Sequence, residues 1–313
     1  MLARYIRIML LLELAAYIAI AEWLRFLFGW SYAWLALGAI GAALLGRFAL
    51  VSFTTAIGFI ARSPVSEDNR IGFAASCARL LREWRSVLST SLVWFPWDRY
   101  VVRPDPEPRP GGGIPVILAH GYFSNRGYFG ALVRALEADG VGPVFTPNLS
   151  AAFATIEAYA EELHGEIERI LAGTGQPQVI LVCHSMGGLG ARAYLCARGP
   201  ARVRKLITIA SPHSGTVHAR FGGGANARQM HRGSTFLREL CEKEGEGGPA
   251  CAVTSIYSPH DNLVAPQDTS RLAWAKNVEL ARWGHVGILG AQEVHLLVAE
   301  ELRQAGALRA LSG

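Results

Sequence analysis

Short apolar runs alternate with helical stretches from residue 114 onward, and this alternation constrains the fold more than any other feature of the sequence. The runs have the length and composition of buried strands, and the stretches between them have helical spacing. Strands are predicted at residues 115–119, 143–147, 179–183, 205–210, 253–258 and 277–280, and helices at 127–139, 153–172 and 186–197. Repeated strand–helix units with continuously apolar strands predict a parallel sheet covered by helices on both faces.

The stretch VILVCHSMGG, residues 179–188, places one serine between a predicted strand and a predicted helix. A nucleophile elbow needs this order of elements, with small residues beside the serine so that strand and helix can pack closely. Gly187 and Gly188 supply small residues on the helix side, whereas Cys183 stands where the usual motif has glycine. Because cysteine is small enough for this position, Ser185 is predicted to be a nucleophile. The alternative is a serine in an ordinary turn.

A serine hydroxyl is a poor nucleophile near neutral pH, so it needs a base and an acid that orients the base. With the serine on such an elbow, the acid and then the histidine follow it along the chain. Asp261 comes just after the predicted strand 253–258 and is preferred over Asp268, which lies further into the following loop. His285, in the glycine-flanked segment WGHVGIL after the last predicted strand, is the predicted base.

The negative oxygen that forms during attack on an ester carbonyl needs backbone N–H donors. Met186, the residue after the predicted nucleophile, is expected to supply one of them. The loop HGYFSNR after the first predicted strand is expected to supply the other through Tyr122, since Gly121 allows a close turn there. His120 is expected to order this loop by hydrogen bonding, and His184 to pack beneath the elbow.

The first 61 residues carry much of the apolar excess of a chain that is 51% hydrophobic and only 18% charged. Residues 8–28 and the charge-free residues 26–46 are each long enough to cross a bilayer, for which about 20 apolar residues suffice. Glu13 lies deep within the first segment and would need a protein partner. We therefore predict a hairpin of two transmembrane helices that turns at Gly29. The alternatives are a single span and a cleaved signal peptide.

Arginines flank this hairpin, and the net charge of the chain is +5. No stripe of Lys and Arg interleaved with aromatic residues is present in the sequence, so a nucleic-acid partner is not expected. By the positive-inside rule, the arginines place both ends of the hairpin on the cytoplasmic side of a membrane, expected to be a bacterial inner membrane. If only one segment spans, the main domain faces the other side. The flanking residues are Arg4, Arg7, Arg47, Arg62 and Arg70.

Residues 62–113 are predicted to join the membrane helices to the main domain. Residues 71–95 carry apolar residues at helical spacing on one face, with Arg79, Arg82 and Glu83 on the other. This amphipathic helix is expected either to lie on lipid or to pack on the main domain. The segment RPDPEPRPGGG that follows is a linker rich in proline and glycine. The domain boundaries are therefore predicted at 1–61, 62–113 and 114–313.

The five cysteines are widely spaced and do not have the pattern of a disulfide framework. Cys241 and Cys251 bracket a glycine-rich loop and are either a pair or two free thiols. No Cys/His cluster in the sequence has the spacing of a zinc site, so neither a metal nor another cofactor is predicted.

Five blocks occur in order: VILAHGYFSN, VILVCHSMGG, TIASPHSGT, SPHDNLVAP and GHVGIL. Together they resemble the bacterial triacylglycerol lipase and esterase group of the α/β-hydrolase superfamily, over residues 114 to about 300. The resemblance implies an α/β-hydrolase fold with Ser185, Asp261 and His285 as the catalytic triad. It also implies oxyanion donors at Tyr122 and Met186. The N-terminal membrane region and Cys183 in the elbow depart from the pattern of this group.

These features predict a membrane-anchored serine hydrolase that cleaves carboxylic esters, expected to be lipid esters from the bilayer, through an acyl-enzyme intermediate. The insertion between strands 205–210 and 253–258 is expected to form a small mobile flap over the acyl pocket. The alternatives are a thioesterase or acyltransferase with the same triad, and a non-catalytic membrane-bound scaffold. Gly38 and Gly41 would let a second helix approach closely, which is compatible with a homodimer through the transmembrane helices.

Overall fold

A six-stranded sheet forms the centre of the main domain in the computed structural model, which describes residues 2–149 and 153–307. The spatial order is β2-β1-β3-β4-β5-β6, and all neighbouring strands run parallel. The strands are β1 (Val116–Ala119), β2 (Val144–Phe145), β3 (Val179–His184), β4 (Val203–Ile209), β5 (Ala252–Tyr257) and β6 (Lys276–Glu279). The predicted parallel sheet is confirmed, because each strand overlaps the segment predicted for it.

Helices cover both faces of the sheet. The α-helices of the described residues are α1 (Leu2–Phe28), α2 (Tyr32–Ile60), α3 (Phe73–Ser89), α4 (Asp98–Val101), α5 (Gly130–Ala138), α6 (Ile156–Thr174), α7 (Met186–Arg198), α8 (Gly224–Gln229), α9 (Thr235–Glu244) and α10 (Gln292–Gln304). Alternate residues of β1 face opposite sides, so Ile117 packs with α6 and α7 while Leu118 packs with α5 and α10. The continuously apolar strands follow from burial on both faces.

The N-terminal helices α1 and α2 form a hairpin with its turn at Gly29, where the backbone has φ +66°. Helix α2 is the one helix in the described part of the chain that is long and apolar enough to cross a membrane. It continues to Ile60, well past residue 46, so Arg47 lies inside the helix and does not follow it. There Arg47 donates two hydrogen bonds of 2.8 Å to the carboxylate of Glu13, and so supplies the protein partner that this acidic residue needs.

The two ends of the hairpin have different surroundings. Near its turn, large apolar and aromatic side chains are exposed, among them Trp23, Phe26, Phe28, Trp30 and Trp34. Near its base, α2 contacts the main domain: the carbonyl oxygen of Thr54 lies 3.1 Å from His218 Nε2, and the backbone of Gly58 packs on that of Asn262. The hairpin therefore projects from the main domain with its apolar end outward.

Helix α3 packs on the main domain, and it does so through its charged face. Arg79 and Glu83 are buried, whereas Phe73 and Leu81 are exposed. Arg79 donates to the carbonyl of His260 at 3.4 Å, and Glu83 accepts two backbone hydrogen bonds. The sequence pattern places these charged residues opposite the apolar face, and the structure buries them because hydrogen-bond partners on the main domain compensate their desolvation.

The insertion between β4 and β5 contains a 3-10 helix (Val217–Phe221) followed by α8 and α9. It is tied to the loop after β1, because the Tyr122 hydroxyl both donates to the carbonyl and accepts from the N–H of Gly223, each at 2.9 Å. Cys241 in α9 and Cys251 just before β5 both lie in this insertion, and both are free thiols. The insertion thus lies over the carboxyl ends of the central strands.

Candidate active site

Ser185 lies at the sharp turn between β3 and α7, with φ 56° and ψ −128°. A positive φ is unusual for a residue with a side chain and marks a strained backbone. The turn is closely packed, since a Cβ on Gly187 would come within 2.6 Å of the carbonyl oxygen of Ala119. Cys183, where the usual motif has glycine, is fully buried in the sheet, and burial raises the pKa of its thiol.

Ser185, His285 and Asp261 lie in one hydrogen-bonded row. The distance from Ser185 Oγ to His285 Nε2 is 3.0 Å, and His285 Nδ1 lies 2.9 Å from Asp261 Oδ2. Because an ionised carboxylate only accepts, Nδ1 carries the proton, and Nε2 is left to accept from the serine hydroxyl. The structure therefore brings together the three side chains predicted as nucleophile, base and acid.

Asp261 is fixed by the loop that carries it. Its Oδ1 accepts hydrogen bonds from the N–H groups of Leu263 at 2.7 Å and Val264 at 2.8 Å, which leaves Oδ2 for His285. The competing acid Asp268 is exposed and lies in a 3-10 helix farther along, with its N–H bonded to Ser63 Oγ. Asp261 alone of the two contacts the histidine.

The charges around His285 act on its pKa in opposite directions. Burial lowers the pKa, but the charge and hydrogen bond of Asp261 and the charge of Glu83 raise it above its ordinary value of 6.5. The neighbouring His184, with its ring centroid 4.8 Å away, is held neutral, since burial and the charge of His285 lower its pKa well below the ordinary value. Its Nε2 lies 3.1 Å from the carbonyl oxygen of His285.

The loop after β1 packs directly on the serine. A Cβ on Gly121 would come within 2.8 Å of Ser185 Cβ and 3.2 Å of the nitrogen of Met186. No described residue accepts a hydrogen bond from the N–H of Tyr122 or of Met186, the two predicted oxyanion donors. These groups are thus available to a ligand oxygen placed beside Ser185.

His120 orders this loop, as expected from the sequence. Its Nε2 accepts from the N–H of Leu149 at 3.1 Å, so Nδ1 is the protonated nitrogen and donates to the Gly121 carbonyl at 3.1 Å. Burial lowers the pKa of His120 to about 4, against weaker opposing effects of its hydrogen bonds and nearby carboxylates. The ring is therefore neutral near pH 7 and serves as both donor and acceptor.

Ser185 and His285 open into a cavity of about 780 Å³. The main domain supplies one wall, including Tyr122, Phe123, Met230 and Val264. The N-terminal hairpin supplies the other, and its contribution is almost entirely apolar apart from the Glu13–Arg47 pair. The hairpin residues in this wall are Ile6, Met9, Leu10, Glu13, Arg47, Leu50, Phe53 and Thr54.

The loop after β1, the insertion and the hairpin are linked by aromatic contacts. Phe53 of α2 lies edge to face with Phe221 at 5.6 Å between ring centroids, and Tyr5 of α1 lies edge to face with Phe123 at 6.0 Å. Phe53 and Phe221 are both largely exposed. Apolar side chains from three separate segments therefore surround the cavity that contains Ser185.

Residues 114–232 match the protein family described as having the alpha/beta hydrolase fold, and this match includes the elbow and the loop after β1. The chain has an α/β-hydrolase fold. Among solved structures, the mature form of the lipase BlEst2 from Bacillus licheniformis superimposes with a TM-score of 0.54 at 17% identity, over 64% of this chain and 94% of that one.

Two sequence relatives of this chain are triacylglycerol lipases. That of Pseudarthrobacter phenanthrenivorans is 35% identical over 116 residues, which are 34% of this chain and 35% of the relative. That of Burkholderia plantarii is also 35% identical over 116 residues, which are 34% of this chain and 32% of the relative. The chain thus matches about a third of the length of these curated relatives.

Several residues around this site were not predicted from the sequence. Glu83 of α3 binds the backbone of the two residues after His285, and Asn262 Oδ1 accepts from the N–H of His285 at 3.0 Å. Thr54 of α2 accepts a hydrogen bond from Asn262 Nδ2 at 3.0 Å. The position of Asn262 directly after Asp261 could have suggested a role for it near the site. Glu83 and Thr54 are far from the motifs in the sequence, so no comparable signal pointed to them.

Proposed function

We propose that this α/β hydrolase is a membrane-anchored serine hydrolase that cleaves carboxylic esters of lipids through an acyl-enzyme intermediate. The observation that carries the proposal is that Ser185, hydrogen-bonded to His285, opens into a largely apolar cavity walled in part by the N-terminal hairpin. Its volume of about 780 Å³ is in the range of ligand pockets, and its apolar lining suits an acyl chain. The lipase names of the sequence relatives support the same substrate class.

The hairpin connects the site to a membrane. Its turn exposes Trp30 and other large apolar side chains, while its base supplies Ile6, Leu50 and Phe53 to the cavity wall. With the apolar end in a bilayer, the cavity lies where the hairpin meets the main domain, so a lipid ester reaches Ser185 from the membrane side. We place the protein in a membrane on this basis, and the bacterial inner membrane is the expected one.

In the proposed reaction, Ser185 Oγ attacks the ester carbonyl carbon while His285 Nε2 takes the hydroxyl proton. Asp261 stabilises the resulting imidazolium, and the N–H groups of Tyr122 and Met186 stabilise the negative oxygen. Collapse breaks the ester C–O bond, and His285 returns the proton to the leaving alcohol. Water then attacks the acyl-enzyme with His285 as base, which releases the carboxylic acid and restores Ser185.

The test is hydrolysis of p-nitrophenyl esters from short to long acyl chains by detergent-solubilised protein, with Ser185→Ala as the control. We expect turnover that requires Ser185 and favours long chains, because the cavity wall is apolar along the hairpin. Serine-dependent turnover of short chains alone would contradict the lipid substrate. Faster cleavage of a thioester than of the matching oxygen ester would favour the thioesterase alternative. Equal rates for the two proteins would contradict catalysis by Ser185.

A further inference from the structure

The carboxylate of Glu83 contacts the backbone of the two residues that follow His285, the histidine of the proposed triad. Glu83 is on α3, outside the matched hydrolase segment, and only 1% of its surface is exposed. Its Oε1 accepts the N–H of Val286 at 2.9 Å, and its Oε2 accepts the N–H of Gly287 at 2.8 Å. Both oxygens are therefore committed to the two residues that follow His285.

Side chains hold three consecutive N–H groups of this loop. Asn262 Oδ1 binds the N–H of His285, and Glu83 binds the next two. The residue before His285 also packs closely on Glu83, because a Cβ on Gly284 would come within 2.4 Å of Glu83 Oε2. The backbone that carries His285 is thus fixed from residue 284 to residue 287 by a carboxylate and an amide.

We infer that Glu83 is a positioning residue that sets the place of His285 between Ser185 and Asp261. This inference rests on the proposed function, since it concerns the same triad. The N–H groups of a loop can be satisfied by water or by neutral side chains at lower cost than by a buried carboxylate. A buried carboxylate that accepts two N–H groups at once gives a stiffer and more specific support, because charge-assisted hydrogen bonds are shorter and stronger than neutral ones.

The negative charge of Glu83 also acts on the chemistry of His285. Burial raises the pKa of Glu83 above its ordinary value, against the hydrogen bonds from Val286 and Gly287 and the charge of His285, and the charge of Asp261 adds to the increase. In return, Glu83 is one of the groups that raise the pKa of His285. Loss of this charge should therefore lower the pKa of the catalytic base.

Charged and titratable groups from several elements lie near Glu83 and His285. From α3, Arg79 is attracted to both Glu83 and Asp261. His184, at the end of β3, and His218, in the insertion, both interact with His285, and burial lowers the pKa of each, so that they are neutral near pH 7. Tyr128 stays protonated because burial and the charge of Glu83 raise its pKa. Glu83 and Asp261 are then the anions that raise the pKa of His285.

The test compares Glu83→Gln with wild type in the full chain. Glutamine keeps the size of the side chain but places an amide N–H₂ where one acceptor stood, and it removes the charge. We expect kcat to fall by about 10- to 100-fold, as for displacement of a catalytic group by about 1 Å, with KM little changed. The acid limb of the kcat/KM profile should move to lower pH. Glu83→Asp keeps the charge but is too short to reach both N–H groups, so kcat should fall while the acid limb stays in place.

Glu301→Gln is the matched control. Glu301 is equally buried, but it lies near the amino ends of the strands, where it binds Lys205, Lys276 and Thr254. Its loss should lower thermal stability without moving the acid limb. The inference about Glu83 is wrong if folded Glu83→Gln keeps the kcat and acid limb of wild type. It is also wrong if Glu83→Gln and Glu301→Gln differ from wild type only in thermal midpoint.

Labelling with an alkyl fluorophosphonate separates this inference from the proposed function. The reagent reports on the reactivity of Ser185 even if no ester substrate is found. If wild type reacts at Ser185 and Glu83→Gln reacts at the same rate, the inference about Glu83 fails while the nucleophile stands. If wild type does not react at all, the proposed function fails as well. Slower labelling of folded Glu83→Gln supports the inference.

Discussion

The loop after β1 packs directly on Ser185, and this packing leads to a specific prediction for Gly121→Ala. The new methyl group would lie 2.8 Å from Ser185 Cβ and 2.9 Å from the carbonyl oxygen of His184. Carbon atoms in contact prefer about 3.5–4.0 Å, so the loop has to move away from Ser185 by about 1 Å. That movement carries the N–H of Tyr122 away from the position of the substrate oxygen.

We expect kcat of Gly121→Ala to fall about 10²-fold, the loss typical of one misplaced oxyanion donor, with a small change in KM. Overpacking should also lower the free energy of unfolding by about 1–3 kcal/mol. The measurements are kcat and KM with a p-nitrophenyl ester and the thermal midpoint in the same detergent. Because the two effects are measured separately, loss of activity from unfolding can be distinguished from loss through displacement of the donor.

Gly165→Ala is the matched control, because a Cβ at this position in α6 meets nothing within 4 Å. It should leave kcat unchanged and raise the free energy of unfolding by about 0.5–1 kcal/mol, since alanine favours helix over glycine. The reasoning is refuted if folded Gly121→Ala keeps kcat within about threefold of wild type, since that corresponds to well under 1 kcal/mol in the barrier.

Three further predictions concern the pH profile, the cavity wall and a buried ion pair. The kcat/KM profile should rise with pH through a midpoint above 6.5, because His285 must be neutral to act as a base. Burial lowers the pKa of His285, but the neighbouring carboxylates raise it by more than burial lowers it. An acid limb with its midpoint below 6.5 would contradict this prediction. Leu50→Trp should shift the preference among p-nitrophenyl esters toward shorter chains, because Leu50 lines the cavity and the larger ring narrows it; Leu45→Trp, on the same helix but outside the cavity lining, should not. Glu244→Ala should lower the free energy of unfolding, measured by denaturation, by about 3–5 kcal/mol, since it leaves Arg192 buried without its carboxylate; a loss below about 1 kcal/mol would be inconsistent with a desolvated pair.

The sheet and the hydrogen-bonded row of Ser185, His285 and Asp261 could be predicted from the sequence because their signals are local. A strand buried on both faces must be a continuous apolar run, and β3 followed by Ser185 and a glycine pair is such a run entering a tight turn. Asp261 and His285 follow from their order after the serine and from their places just beyond strands. Their catalytic roles remain predictions, but their juxtaposition needed only the topology of the sheet.

The N-terminal third shows where such reasoning stops. The pattern of α3 identifies an amphipathic helix but does not tell which face is buried, since that depends on the partner surface. Here Glu83 is buried and Leu81 is exposed. Likewise, the sequence predicts that Arg47 follows the membrane segment. In the structure, Arg47 lies within α2 and is paired with Glu13. Both outcomes were decided by contacts between residues far apart in the chain.

The same contacts change the interpretation of the hairpin. Its sequence predicts an anchor, and an anchor alone would not need to touch the site. In the structure, Leu50 and Phe53 line the cavity, and Thr54 binds the asparagine that holds the His285 loop. We therefore expect the hairpin to take part in substrate binding and in the support of the triad, in addition to any role in membrane attachment.

The most direct test of the central claim is to find where an alkyl fluorophosphonate attaches to the protein. Ser185 Oγ should displace fluoride and form a phosphonate ester, which peptide mapping by mass spectrometry would locate on the segment that contains residues 179–188. We predict one adduct at Ser185, its absence in Ser185→Ala, and much slower formation in His285→Ala. An adduct on another residue, or equal labelling of Ser185→Ala, would contradict the claim that Ser185 is the nucleophile.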